Sequence, residues 1–125
     1  MEAIKNYLDK KLNEYSVKLE KSLFYIKDED NFSIREFLDS NSHTAFQCEL
    51  FIQTLSRFQS HLNDDNTDGI KSLASFLKNR YEQELLSAHC SRNSTCQIRN
   101  LLFTWEFESY PIIIRMLDEI LKLCK

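Results

Sequence analysis

Apolar residues return every three or four positions along most of this chain, and almost nowhere in twos. That is the period of helix faces, not of strands. Over residues 2–27, Ile4, Leu8, Leu12, Tyr15, Leu19, Leu23 and Ile26 step by 4, 4, 3, 4, 4 and 3, a heptad-like seam on one long first helix. Such a seam suits a coiled-coil dimer contact or a first helix laid along a bundle, and the second is the commoner use. The run Asp28-Glu29-Asp30-Asn31 ends it. A short helix is predicted over 34–40, capped by Ser33 with Glu36 in the capping-box position, and with Ile34, Phe37 and Leu38 on its apolar side. A third helix is predicted over 45–62, with Thr44 and Gln47 as its capping box and Phe46, Leu50, Phe51, Leu55, Phe58 and Leu62 as its core face. After the polar stretch Asn63–Asp68, a fourth is predicted over 68–87, capped by Thr67, with Ile70, Leu73, Phe76, Leu77, Tyr81 and Leu85 buried. The stretch His89–Thr95 then breaks the pattern.

The segment Gln97–Leu123 carries the densest apolar content, the only Trp and the only Pro. Ile98, Leu101, Leu102 and Trp105 recur at helical spacing, and Phe103 and Phe107 widen their face. Ser94 with Gln97 forms a capping box for its start. Pro111 disfavours helix at Tyr110 and brings no N–H, so the pattern predicts two helices, about 95–109 and 111–123, or one kinked helix. The second piece is apolar on nearly every side, through Ile112, Ile113, Ile114, Met116, Leu117, Ile120, Leu121 and Leu123. A helix of that kind is central in a core, or has one face in the core and another against a partner; the core is the simpler reading.

The composition sharpens this picture. One Gly and one Pro in 125 residues leave few turn formers, which argues for long helices with short loops. The fold class is therefore all-α: a single domain, 1–125, built as a compact bundle of roughly five to seven helices around the hydrophobic C-terminal helix or helix pair. The chain is long enough for a core without disulfides. Its formal net charge of −3 gives no global support for nucleic-acid binding. The lysines of the first helix alternate with Glu2, Asp9, Glu14 and Glu20, as on a solvated face. The start MEAIKNYLDKK has no apolar signal core, and no apolar run reaches the ~18 residues of a membrane span. The expected location is cytoplasmic, or nuclear, and not secreted. Cys48, Cys90, Cys96 and Cys124 are then expected as thiols.

Candidate chemistry is sparse. Asp64, Asn66, Asp68 and Gly69 match the opening of a calcium loop, but the bidentate Glu at its end is replaced by Ser75. An acidic helix N-terminus accounts for the same residues. His89, Cys90 and Cys96 offer soft ligands for zinc, at a looser spacing than paired structural sites use, and a fourth ligand would have to come from His43, Cys48 or His61. Glycine-rich phosphate loops and the nucleophile and zinc-protease motifs are missing. The expectation is a non-enzymatic chain with no cofactor and no metal. Its partner-contact candidates are Leu12, Tyr15 and Leu19 on the first helix and Trp105, Phe107 and Ile114 in the C-terminal segment.

Trp105-Glu106, then Glu108-Ser109-Tyr110, then Ile113-Ile114-Arg115-Met116-Leu117 resembles the C-terminal core segment of small poxvirus Bcl-2-like proteins, with one residue inserted after the Trp-Glu pair. The match covers under a fifth of the chain, and the Asn-Trp-Gly-Arg motif of cellular Bcl-2 proteins is not present. The resemblance implies a bundle of about six or seven helices around a central hydrophobic helix. It also implies intracellular binding of host apoptotic or innate-immune (NF-κB) signalling proteins, often by a homodimer. The other class the pattern allows is a constitutive subunit of a nuclear or scaffold assembly, whose seam and C-terminal helix pack on other subunits.

Overall fold

The computed structural model describes residues 1–23, 37–86 and 96–125. The chain is all-α, of the helical-bundle class, and no strand occurs among the described residues. Five α-helices are formed there: α1 (Glu2–Ser22), α2 (Ser42–Ser56), α3 (Gln59–Asn63), α4 (Thr67–Leu86) and α5 (Gln97–Leu123). A single π-type turn, Phe37–Asn41, leads into α2. The residues group into two compact units, Asn6–Arg57 and Met1–Lys5 with Phe58–Lys125.

In the unit Asn6–Arg57, α1 and α2 face each other through Tyr15 and Phe51, whose ring centroids lie 4.8 Å apart. Leu8, Ala45, Cys48 and Leu55 are buried in this unit, while Leu12 and Leu19 are half-buried. The seam read from the sequence is thus the inward face of α1 as far as Leu23; Ile26 lies outside the described residues. So do residues 34–36 of the expected short helix. Its described remainder is the π-type turn, on which Leu38 is exposed rather than on an inward side.

The third predicted helix needs correction. It begins three residues early, at Ser42, and Thr44 sits within its first turn, so the Thr44–Gln47 capping box does not form. Asn41 occupies the cap position without a side-chain bond there. The helix also divides: α2 stops at Ser56 and α3 starts at Gln59. Neither Gly nor Pro marks the break, so nothing in the sequence advertised it. Arg57 and Phe58 keep right-handed dihedrals, with ψ relaxed to −19° and −10°. That is enough to interrupt the ladder, and the Phe58 side chain is fully buried.

The join between α3 and α4 explains the calcium-like motif. Asp65 has φ 49°, a left-handed residue after the last turn of α3. Its N–H donates to the Leu62 carbonyl at 3.2 Å, and the Asn66 N–H donates to the His61 carbonyl at 2.8 Å. This pair of bonds is a Schellman stop, here with Asp in the place glycine usually takes. Asn66 then caps α4: its side-chain oxygen accepts the Gly69 N–H at 2.9 Å. The cap is therefore Asn66, and Thr67 is the first helical residue. A Cβ on Gly69 would lie 2.5 Å from Asn66 Nδ2 and 2.5 Å from His61 Nδ1, so the only glycine permits a close approach of side chains.

In the second unit α4 and α5 form the principal pair. Lys78 meets Asp118 and Tyr81 meets Tyr110, so the helices run antiparallel. Ile70, Ala74 and Leu77 of α4 are buried in this unit, as are Tyr110, Ile113, Met116, Leu117 and Ile120 of α5. α5 is one continuous helix with Pro111 inside it, so the expected division into helices 95–109 and 111–123 does not occur. Pro111 is exposed and adds no N–H to the ladder. The helix opens at Gln97, with Cys96 at the cap position and no side-chain cap bond; Ser94 lies outside the described residues. The buried polar side chains, Ser22, Thr54 and Ser109, each donate to the carbonyl four residues back, at 2.9, 2.8 and 2.7 Å. Buried hydroxyls are in this way satisfied within their own helix.

Candidate interaction surface

α5 has 27 residues and α4 has 20, about 40 Å against 30 Å of helix. With Lys78 opposite Asp118 and Tyr81 opposite Tyr110, the end of α4 at Leu86 falls short of the first two turns of α5. Those turns have no α4 residue opposite them. There Ile98 is 71% exposed and Leu101 is 47% exposed, while Leu102 and Trp105 are half-buried. The sequence pattern put Ile98 and Leu101 on a buried face. That expectation is corrected: both are exposed, and among the described residues none of α4 lies opposite them.

Phe76 is a second correction. The periodicity puts it on the core face of α4, yet it is 58% exposed. At about 100° per residue it points roughly 120° away from Ile70, whereas Ala74, Leu77 and Tyr81 cluster around that direction. Counting the small Ala74 as core would have moved the centre of the face off Phe76. Leu86, the last residue of α4, is 83% exposed.

Of the six partner-contact candidates, Tyr15 is buried and Leu12 and Leu19 are half-buried, all on α1 in the first unit. Trp105, Phe107 and Ile114 are half-buried on α5 in the second. One of these is braced. The Phe107 ring stands edge-on to Tyr110, with centroids 5.8 Å apart. Tyr110 itself packs tilted against Tyr81, with centroids 4.9 Å apart, and donates its hydroxyl to Glu106 Oε2 at 3.2 Å. Ser109 Oγ donates to the Trp105 carbonyl. The exposed pair Ile98 and Leu101 was not among the candidates. No signal in the spacing marks it, because exposure depends on what packs opposite.

The pair is fixed near its other end by Lys78, whose Nζ lies 2.6 Å from Asp118 and 3.9 Å from Glu82. The hydrogen bond to Asp118 and the attraction of that carboxylate hold the Lys78 ammonium above its usual range.

The calcium-like residues are not arranged around a common point. Asn66 directs its oxygen into the cap, and Asp68 lies on the first turn of α4. Among the described residues no group of His, Cys, Asp and Glu is placed to hold a metal. His89 and Cys90 lie outside those residues, while Cys96 is exposed at the start of α5. Cys48, Cys96 and Cys124 are thiols. No described helix is long and apolar enough to cross a membrane. Comparison with family models, with curated proteins and with solved structures finds no match to this chain.

Proposed function

We propose that this chain is a non-enzymatic helical protein-interaction module whose contact surface is the apolar stripe on the first two turns of α5. The exposure of Ile98 and Leu101 on the longest helix is the observation that carries this reading. Adjacent exposed aliphatic side chains on a rigid helix keep apolar area in water that a partner would remove. Leu102 and Trp105, half-buried and within about 40° of Ile98 around the helix, extend the same apolar stripe. In its concrete form, and by the resemblance at residues 105–117, the module is an intracellular viral inhibitor of the Bcl-2-like kind. It binds a host apoptosis or NF-κB signalling protein, as a monomer or a homodimer, through a partner helix laid along this stripe.

A constitutive subunit of a nuclear or scaffold complex is the second reading. Leu86 and Phe76 favour it, because they add apolar exposure on α4. A pull-down from mammalian lysate separates the two, using an N-terminal tag and the double variant Ile98→Asp with Leu101→Asp as control. Enrichment of death-pathway or NF-κB-pathway proteins that disappears with the variant supports the inhibitor. Recovery of one stoichiometric nuclear or scaffold set sinks it in favour of the subunit. Binding that survives the variant removes the first turns of α5 as the contact.

A further inference from the structure

The first unit contains a cleft of about 430 Å³ between α1 and α2, independent of the interaction surface above. That size lies within the range of small-molecule sites. Its floor is apolar: Tyr15, Phe51 and the buried Cys48. Two titrating groups lie in this floor. Burial above all pushes the Tyr15 phenol up, with Glu14 and Cys48 adding to it. Burial likewise pushes the Cys48 thiol up, with Lys18 opposing and Glu14 adding.

Among the described residues, the charges lining the mouth are of one sign. Lys18 and Lys21, almost one turn apart on α1, line it, and none of its described lining residues is a carboxylate. Glu14 stands just outside, 3.6 Å from Lys18 and 3.6 Å from Lys11. Lys18 also lies 5.7 Å from the centre of the Tyr15 ring, so its ammonium sits at the edge of the floor. Lys21 has no carboxylate paired with it among the described residues, and its side chain is exposed. The floor also limits the shape of a ligand. The Tyr15 and Phe51 planes are inclined by 55°, so they do not form parallel walls for a flat ring. A flexible chain can follow such a surface.

We propose that this cleft binds a medium-chain aliphatic carboxylate, with its chain on the Tyr15, Cys48 and Phe51 floor and its head between Lys18 and Lys21. The apolar tail gains by leaving water, and the charged head stays at the wet rim where the lysines can reach it. A charge-assisted contact of this kind adds most where the rest of the ligand is already desolvated.

The test is an NMR titration of the ¹⁵N-labelled full chain with decanoate, kept below its micelle concentration, and with 1-decanol as the headless control. The expected result is saturable shifts concentrated at residues 15–22 and 44–51. The double variant Lys18→Glu with Lys21→Glu should bind decanoate about tenfold more weakly, and decanol should bind the native chain more weakly by a similar factor. Both lysines are exposed, so the variant should keep its helical circular dichroism. Gln47→Trp, which plugs the cleft from α2, should abolish the shifts. Three outcomes each overturn the proposal: no saturable shift, shifts centred on the first turns of α5 instead, or undiminished binding by the charge-reversed chain.

Discussion

A single side-chain oxygen separates two readings of Asp64–Gly69. The residue types are those of a calcium loop, and the geometry is a helix stop followed at once by a helix start. Asp65 holds the left-handed position of the stop, and Asn66 closes the next helix. An L-residue in that conformation is disfavoured, and Asp tolerates it better than most. Asp65→Gly should therefore stabilise the protein by about 0.5–1 kcal/mol. Asn66→Ala should destabilise it by about 1 kcal/mol, since the Gly69 N–H loses its acceptor. Urea denaturation of the two variants measures both. Were these residues instead a metal site, added calcium would raise the midpoint of the native protein; the cap geometry predicts no change.

At the level of the element, α5 is two regions on one rod. Leu117 is fully buried and Ile98 is largely exposed. Leu117→Ala should cost about 2–5 kcal/mol through lost burial and the cavity left behind. Ile98→Ala should stay within about 0.5 kcal/mol, while weakening any partner contact. Equal costs at the two positions, measured by chemical denaturation, would contradict the exposure of the first turns. Pro111 offers a second test. It sits on the exposed side of an otherwise continuous helix, where proline costs about 3 kcal/mol relative to alanine. Pro111→Ala restores an N–H toward the Phe107 carbonyl and should raise stability by about 1–3 kcal/mol. A loss of stability would mean that contacts of the Pro111 ring outweigh the missing hydrogen bond. The same helix shows what the sequence could and could not reveal. Periodicity exposed the helical class and the buried set Ile113, Met116, Leu117 and Ile120, because a core face is a local pattern. The exposure of Ile98 depends on where a different helix ends, and the break at Arg57–Phe58 depends on burial rather than on a breaker residue. Neither is written in the spacing. The α1–α2 cleft was equally hidden, since Lys18 and Lys21 read as an ordinary solvated face until Cys48 and Phe51 are brought opposite them.

For the whole molecule, the shifted groups predict one pH response. The Lys78 ammonium is raised above its ordinary 10.5, first by its hydrogen bond to Asp118, then by the charge of that carboxylate, with partial desolvation opposing and Glu82 adding. The folded chain holds this proton longer than the unfolded chain. Its stabilising contribution is complete below the unfolded value and vanishes as pH rises through the folded one. The Cys48 and Cys124 thiols are raised above 9.0, and the Tyr15 phenol above 10.0, in each case chiefly by burial. For these the unfolded chain releases its protons first, so rising pH again favours unfolding, beginning near pH 9. All four groups act in the same direction. The urea midpoint should therefore be insensitive to them at neutral pH and fall progressively above pH 9. Cys48→Ala should blunt the early part of that decline, and Asp118→Asn the part above 10.5, where Lys78 would otherwise keep its proton. An unchanged alkaline profile in both variants would show that neither the buried thiol nor the Lys78–Asp118 pair is coupled to folding in the way the geometry requires.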